Sequence, residues 1–144
     1  MKKLAKLVAI FLLVGVVLFL AIQLIRPSVL NTNPPVVSEP AWSSPQAEEL
    51  ARRACYDCHS NETHWRWYAQ IAPASWLVAF DVAEARQRMN FSDWGAGRGR
   101  AASEAGEVVR EGEMPPPQYL LLHPEAHLTP QEKETLAAAL EALR

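Results

Sequence analysis

The chain has 144 residues, 49% of them hydrophobic and 21% charged, with a formal net charge of −2. This is close to ordinary globular usage and suits one modest domain plus an accessory segment. The only charged residues among the first 26 are Lys2, Lys3, Lys6 and Arg26, so residues 27–144 carry −6, which excludes an electrostatic nucleic-acid binder but can steer a basic protein partner.

Residues 7–25, LVAIFLLVGVVLFLAIQLI, contain a single polar side chain, Gln23. As a helix rising about 1.5 Å per residue they reach roughly 28 Å, enough to span the hydrocarbon core of a bilayer. The lysines in front of the run place the N-terminus in the cytoplasm and send the remainder outward. A cleaved signal peptide begins in the same way. However, its apolar region is typically about 7–15 residues long and ends at an A-x-A-like site, and neither feature is met here. The expectation is therefore a single-pass anchor at residues 1–26 in the cytoplasmic membrane, with the C-terminal domain on the periplasmic or extracellular side. Either reading exports that domain.

Residues 27–40 follow as a proline-rich tether, with Pro27, Pro34, Pro35 and Pro40 among small polar residues. Such a segment is extended and semi-rigid and is expected to lift the domain off the membrane. Trp42 suggests that its last residues pack on the domain.

Residues 41–144 show no internal repeat and no alternating strand pattern, and the expected fold is all-α. Ser44 can cap a helix with Pro45 at its first position, running through Ala47, Leu50, Ala51 and Ala54 into two cysteines. Pro73 can open a second helix with Trp76, Leu77, Phe80 and Ala83 on one apolar stripe and the pair Glu84 and Arg88 on its wet side. A third is expected at about 99–111, with Ala101, Ala105 and Val108 on one face and Gly112 ending it. The last begins at Thr129-Pro130-Gln131-Glu132, a capping box with proline at the first helical position, and continues with Leu136, Leu140 and Leu143. So alanine-rich a domain has a limited core, to which a large planar cofactor would add apolar contact.

Cys55-Tyr56-Asp57-Cys58-His59 is C-x-x-C-H, the attachment signature of c-type haem. Two cysteines three apart on a helical turn can each form a thioether to one macrocycle, and the adjacent histidine reaches the iron from the same side. A disulfide and a redox-active dithiol are the competing readings. The dithiol reading expects a βαβ context, which the sequence lacks. A four-cysteine zinc site is impossible with two cysteines.

For the second axial position the candidates are Met114, His64, His123 and His127. His64 lies so close to His59 that the chain has little slack to round a macrocycle, at about 3.5 Å per residue. Met114, in Gly112-Glu113-Met114-Pro115-Pro116-Pro117, sits on a stiff extended loop and is the preferred ligand. The commoner fate of a methionine is to fill core gaps. His123 is the second choice, and an open site the third possibility. A His/Met pair raises the potential and suits electron transfer, whereas an open position favours ligand binding or peroxide chemistry. Trp65, Trp67 and Tyr68, with Trp76 and Trp94 later, are candidate walls of the pocket, and Arg66 a candidate partner of a propionate.

The stretch Cys55-x-x-Cys58-His59-Ser60-Asn61-Glu62-Thr63, then Trp65-x-Trp67-Tyr68 and Ile71-Ala72-Pro73-x-Ser75-Trp76-Leu77, resembles the bacterial haem-binding domain family of small C-x-x-C-H proteins. Further matches are Asn90-Phe91-Ser92-x-Trp94, Gly112-Glu113-Met114-Pro115 with Tyr119, and His123-Pro124 with Ala126 and Leu128. Together they cover nearly all of residues 41–144. The resemblance implies a cytochrome-c-like exported domain, often behind an N-terminal anchor, and places Met114 in the family's Glu-Met-Pro segment. Arg66 stands where the family pattern has proline, which puts the local turn in question.

The sequence thus predicts a membrane-anchored carrier of one haem c, held by Cys55, Cys58, His59 and Met114. It is expected to exchange electrons with a redox partner protein and is more a carrier than an enzyme. A haem-based sensor or peroxide-reacting protein is the alternative, and a thiol-disulfide oxidoreductase a third.

Overall fold

The computed structural model describes residues 1–95 and 99–143. The architecture is all-α, as expected. Among the described residues there is no strand, only one isolated parallel bridge between Ser38 and Asp93. In chain order the helices are α1 (Lys2–Ile22), α2 (Pro45–Ala54), α3 (Tyr56–His59), α4 (Ala74–Arg88), α5 (Gly99–Glu111), α6 (Pro117–Leu120) and α7 (Pro130–Ala142), with 3₁₀ turns at Trp67–Gln70 and Pro124–Ala126. The chain divides into two compact units, Met1–Thr32 with Trp65–Asp81, and Asn33–His64 with Val82–Arg144.

In the first unit α1 is long and apolar enough to cross a membrane, and none of it is buried. The 65–81 segment of this unit buries small side chains, Ala69, Ala72, Ser75 and Ala79. The stripe of Trp76, Leu77 and Phe80 read from the sequence is therefore not the covered one, and Leu77 and Phe80 are exposed. Helical period alone defines two or more stripes, and here the small-residue stripe permits the closer approach. Arg66 stands at φ −64, ψ 162, the backbone that proline would impose, so the turn keeps its form without proline.

In the second unit the helix starts are those the sequence predicts. The Ser44 hydroxyl accepts from Ala47 N–H at 3.1 Å. The box at α7 is reciprocal, with Thr129 N–H donating to Glu132 Oε2 at 2.7 Å and Glu132 N–H to Thr129 Oγ1 at 3.3 Å. α5 ends in a Schellman turn: Gly112, at φ +80, donates to Val109 O, and Glu113 N–H to Val108 O at 3.0 Å. That turn directs the chain into Met114.

α5 packs on α7 across Ala102, Val109, Leu136, Ala137 and Leu140, all buried. Gly106 makes the approach possible, because a Cβ there would meet Ala137 O and Glu141 Cγ, each at 2.9 Å. Phe91 stacks between Tyr56 and Trp94, at centroid distances of 5.1 and 5.7 Å, with Trp42 tilted against it at 5.2 Å. Residues 33–40, expected as a tether, are hydrogen-bonded within this unit: Val37 N–H to Ser92 O at 2.8 Å, Trp94 N–H to Ser38 O at 3.0 Å, and Asn61 Nδ2 to Pro35 O at 2.9 Å.

Candidate functional site

Cys55 is the residue at which α2 stops, and its carbonyl accepts from both Cys58 N–H (3.1 Å) and His59 N–H (2.8 Å). This tight turn, α3, brings both thiols and the imidazole to one place. Ser60 closes it: its hydroxyl donates to Tyr56 O at 2.7 Å and accepts from Glu62 N–H at 2.9 Å. The following residues that carry the family resemblance are structural. Asn61 Oδ1 accepts from Asn90 Nδ2 at 2.9 Å, its backbone N–H donates to Ser92 Oγ at 3.0 Å, and Arg86 donates to Ser60 O at 2.8 Å.

Cys55, Cys58 and His59 line a cavity of about 400 Å³, within the range of small-molecule pockets. Its walls are mostly apolar. Ala54 closes one part, and Ala101, Ala105 and Val108 of α5 another. The short alanine side chains are what leaves the space open. The same α5 thus serves two faces, one against α7 and one against the cavity. Met114 and Pro115 also line it, so all four predicted site residues meet at one cavity.

His59 Nδ1 lies 3.1 Å from Met89 O. A carbonyl can only accept, so Nδ1 carries the proton and Nε2 keeps its lone pair for a ligand bond. Burial, the main influence, pushes the imidazole pKa down, with the Met89 carbonyl opposing it. The ring is therefore neutral near pH 7, the form that binds metal. Burial, together with the neighbouring Cys58, pushes the Cys55 thiol up to about 12. Neither cysteine is in a disulfide.

The remaining candidates lie elsewhere. His123, 2% exposed, is not among the cavity-lining residues; its Nδ1 is 2.8 Å from Tyr119 O and its ring stacks on Tyr119 at 3.7 Å. His64 and His127 are exposed, and the backbone N–H of His64 donates to Asp57 Oδ1 at 2.9 Å. Trp65, Trp67, Tyr68 and Arg66 belong to the first unit, and none is among the residues lining the cavity. Trp94 is in the aromatic core. The cation at the cavity is instead Arg88, which also pairs with Glu84.

The sequence offered no sign of two further features. The hydroxyl of Tyr119 donates to Asp57 Oδ2 at 2.9 Å, joining the segment that follows Met114 to the cysteine turn. The partner of His59 is a backbone carbonyl. Among the described residues no group of three or more His, Cys, Asp or Glu is placed to hold a bare metal ion.

The model of the haem-binding domain family matches residues 17–142. No curated protein and no solved structure gives a match. The site suits the group that the family binds: an apolar slot, two thiols on one turn, and an imidazole with Nε2 available.

Proposed function

The chain belongs to the haem-binding domain family, and from that premise we propose that it is a membrane-anchored monohaem c-type protein that transfers electrons on the outer side of the cytoplasmic membrane. In this reading Cys55 and Cys58 would attach one haem c per chain through thioethers, and His59 and Met114 would hold its iron. Residues 1–26 are the anchor, 27–40 the connecting segment and 41–144 the haem-binding domain. The partner is a redox protein suited to an acidic surface.

The observation that carries this proposal is the His59–Met89 hydrogen bond at a cavity that both cysteines and Met114 also line. When bound, haem supplies a one-electron couple. The rest is done by the chain. The Met89 carbonyl fixes the tautomer and direction of His59, the α3 turn holds the two sulfurs one helical turn apart, and the alanines of α5 keep the slot clear.

The sensor or peroxide reading draws on one feature, the 38% exposure of Met114, which leaves its thioether open to exchange. The dithiol reading is disfavoured because a thiol held protonated by burial is a poor attacking group.

The test is spectroscopic. Haem retained after denaturation, seen as a pyridine haemochrome, is expected, whereas two titratable thiols would sink the attachment. Met114→Ala is expected to abolish a methionine-to-iron absorption band and lower the potential. An unchanged spectrum together with rapid carbon monoxide binding by the reduced wild type would favour the sensor reading.

A further inference from the structure

Gln23 is the one polar side chain in the apolar run, and the structure gives it a use. Its Oε1 accepts from Ala72 N–H at 2.8 Å and its Nε2 donates to Ala72 O at 3.2 Å. Around this pair, Trp76 Nε1 donates to Ile25 O at 2.8 Å. Gln70 exchanges two hydrogen bonds with Asn31, at 2.8 and 2.7 Å, and accepts from Arg26 at 3.1 Å. The segment 65–81 is thus fastened to the end of the anchor helix through its polar groups. Its large apolar side chains are left outside, with Trp67 75%, Phe80 65%, Leu77 55% and Ile71 41% exposed. Leu24 and Ile25, at the end of the anchor, are exposed as well.

Exposed apolar area of this kind marks an interaction surface. Continuity with the membrane-spanning helix selects the occupant, since the apolar surface of α1 runs on through Leu24 and Ile25 to a segment bonded to Gln23 and Ile25. Aromatic side chains, tryptophan above all, concentrate at the membrane–water interface. The family match also begins at residue 17, inside α1.

We propose that residues 65–81 are a membrane-interface element, in which Trp67, Ile71, Leu77 and Phe80 insert at the headgroup–acyl boundary of the bilayer that α1 spans. The polar fastening through Gln23, Gln70 and Trp76 removes hydrogen-bonding groups that would otherwise resist insertion. The inference rests on reading α1 as an uncleaved anchor.

The experiment uses the full-length chain, labelled with 5-fluorotryptophan, in phosphatidylcholine–phosphatidylglycerol nanodiscs. The Trp67 fluorine resonance is the one lost in Trp67→Phe, a conservative change at an exposed site. Headgroup-proximal spin-labelled lipid is expected to broaden it several-fold more than it broadens Trp94 of the aromatic core, and a water-soluble paramagnetic agent is expected to leave it sharp. Broadening by the soluble agent alone would overturn the proposal by placing Trp67 in water. Broadening by neither would also overturn it, by showing the surface covered by a second copy or another protein. Intact mass of the membrane-purified chain separates the two readings. A shortened N-terminus overturns the anchor and this inference together, whereas a full-length mass with an unbroadened Trp67 overturns the inference alone.

Discussion

Tyr119→Phe removes one hydroxyl and leaves the ring in place. That hydroxyl donates to Asp57 Oδ2 at 2.9 Å, and the Asp57 side chain is 17% exposed. Oδ1 keeps its bond from His64 N–H, but His123 Nε2 stands 4.0 Å from Oδ2, too far to replace the lost donor. Hydrogen bonds to charged groups contribute about 1.5–3 kcal/mol. Water can reach Asp57 in part, so the lower end applies, about 1.5 kcal/mol. For a domain of this size that is a fall of roughly 6–10 °C in melting temperature. Tyr119 also closes the segment that starts at Met114. If Met114 ligates the iron as proposed, the methionine-to-iron band of the loaded protein is expected to fade at a lower temperature than the helical circular dichroism. A variant that melts within about 1 °C of the wild type and keeps its band to the same temperature would refute the Tyr119–Asp57 bond as a fastening for the Met114 loop.

Two further changes test the local structure around the site. Gly112 sits at φ +80, so Gly112→Ala is expected to cost about 1 kcal/mol, read as a lower urea midpoint with an unchanged slope; no loss would mean that α5 ends in another way. Glu132 is held down to about 2, chiefly by the Thr129 backbone N–H and then by Arg53, against an ordinary value of about 4.3. A carboxylate depressed by folding stabilises above its unfolded value, and that contribution is lost as pH falls through the folded one. Wild-type stability should therefore drop between about pH 4.5 and 2 more steeply than that of Glu132→Gln, and parallel curves would dismiss the cap as the cause.

Much of this architecture was legible in the chain because its signals are local. Ser44-Pro45, Thr129 to Glu132, Gly112 and the C-x-x-C-H turn each depend on neighbours within a few residues. What was hidden depends on distance. The partner of His59 is a carbonyl thirty residues away, and backbone atoms leave no mark in a sequence. The bond from Tyr119 to Asp57 spans sixty-two positions. Gly106 looks like a weak point in a helix until Ala137 is known to lie against it. In α4 periodicity does not say which stripe is covered, and it is Ser75 and Ala79 that are buried while Leu77 and Phe80 are exposed. The aromatic residues after His59 are close to it in sequence, but Trp65, Trp67 and Tyr68 fall in the first unit and none is among the residues lining the cavity.

The bond between His59 and Met89 has one more consequence. α4 ends at Arg88, so the Met89 carbonyl is among the acceptors that the helix's C-terminus leaves open, and His59 Nδ1–H fills it. A helix end of this kind carries roughly half a negative charge from its aligned peptide dipoles. His59 is thereby polarised, with electron density drawn from Nδ1–H toward Nε2. If His59 holds the iron as proposed, this fixed field would favour the higher charge state of the metal at Nε2. Its strength depends on how well the last turn of α4 is formed, not on any side chain in the cavity.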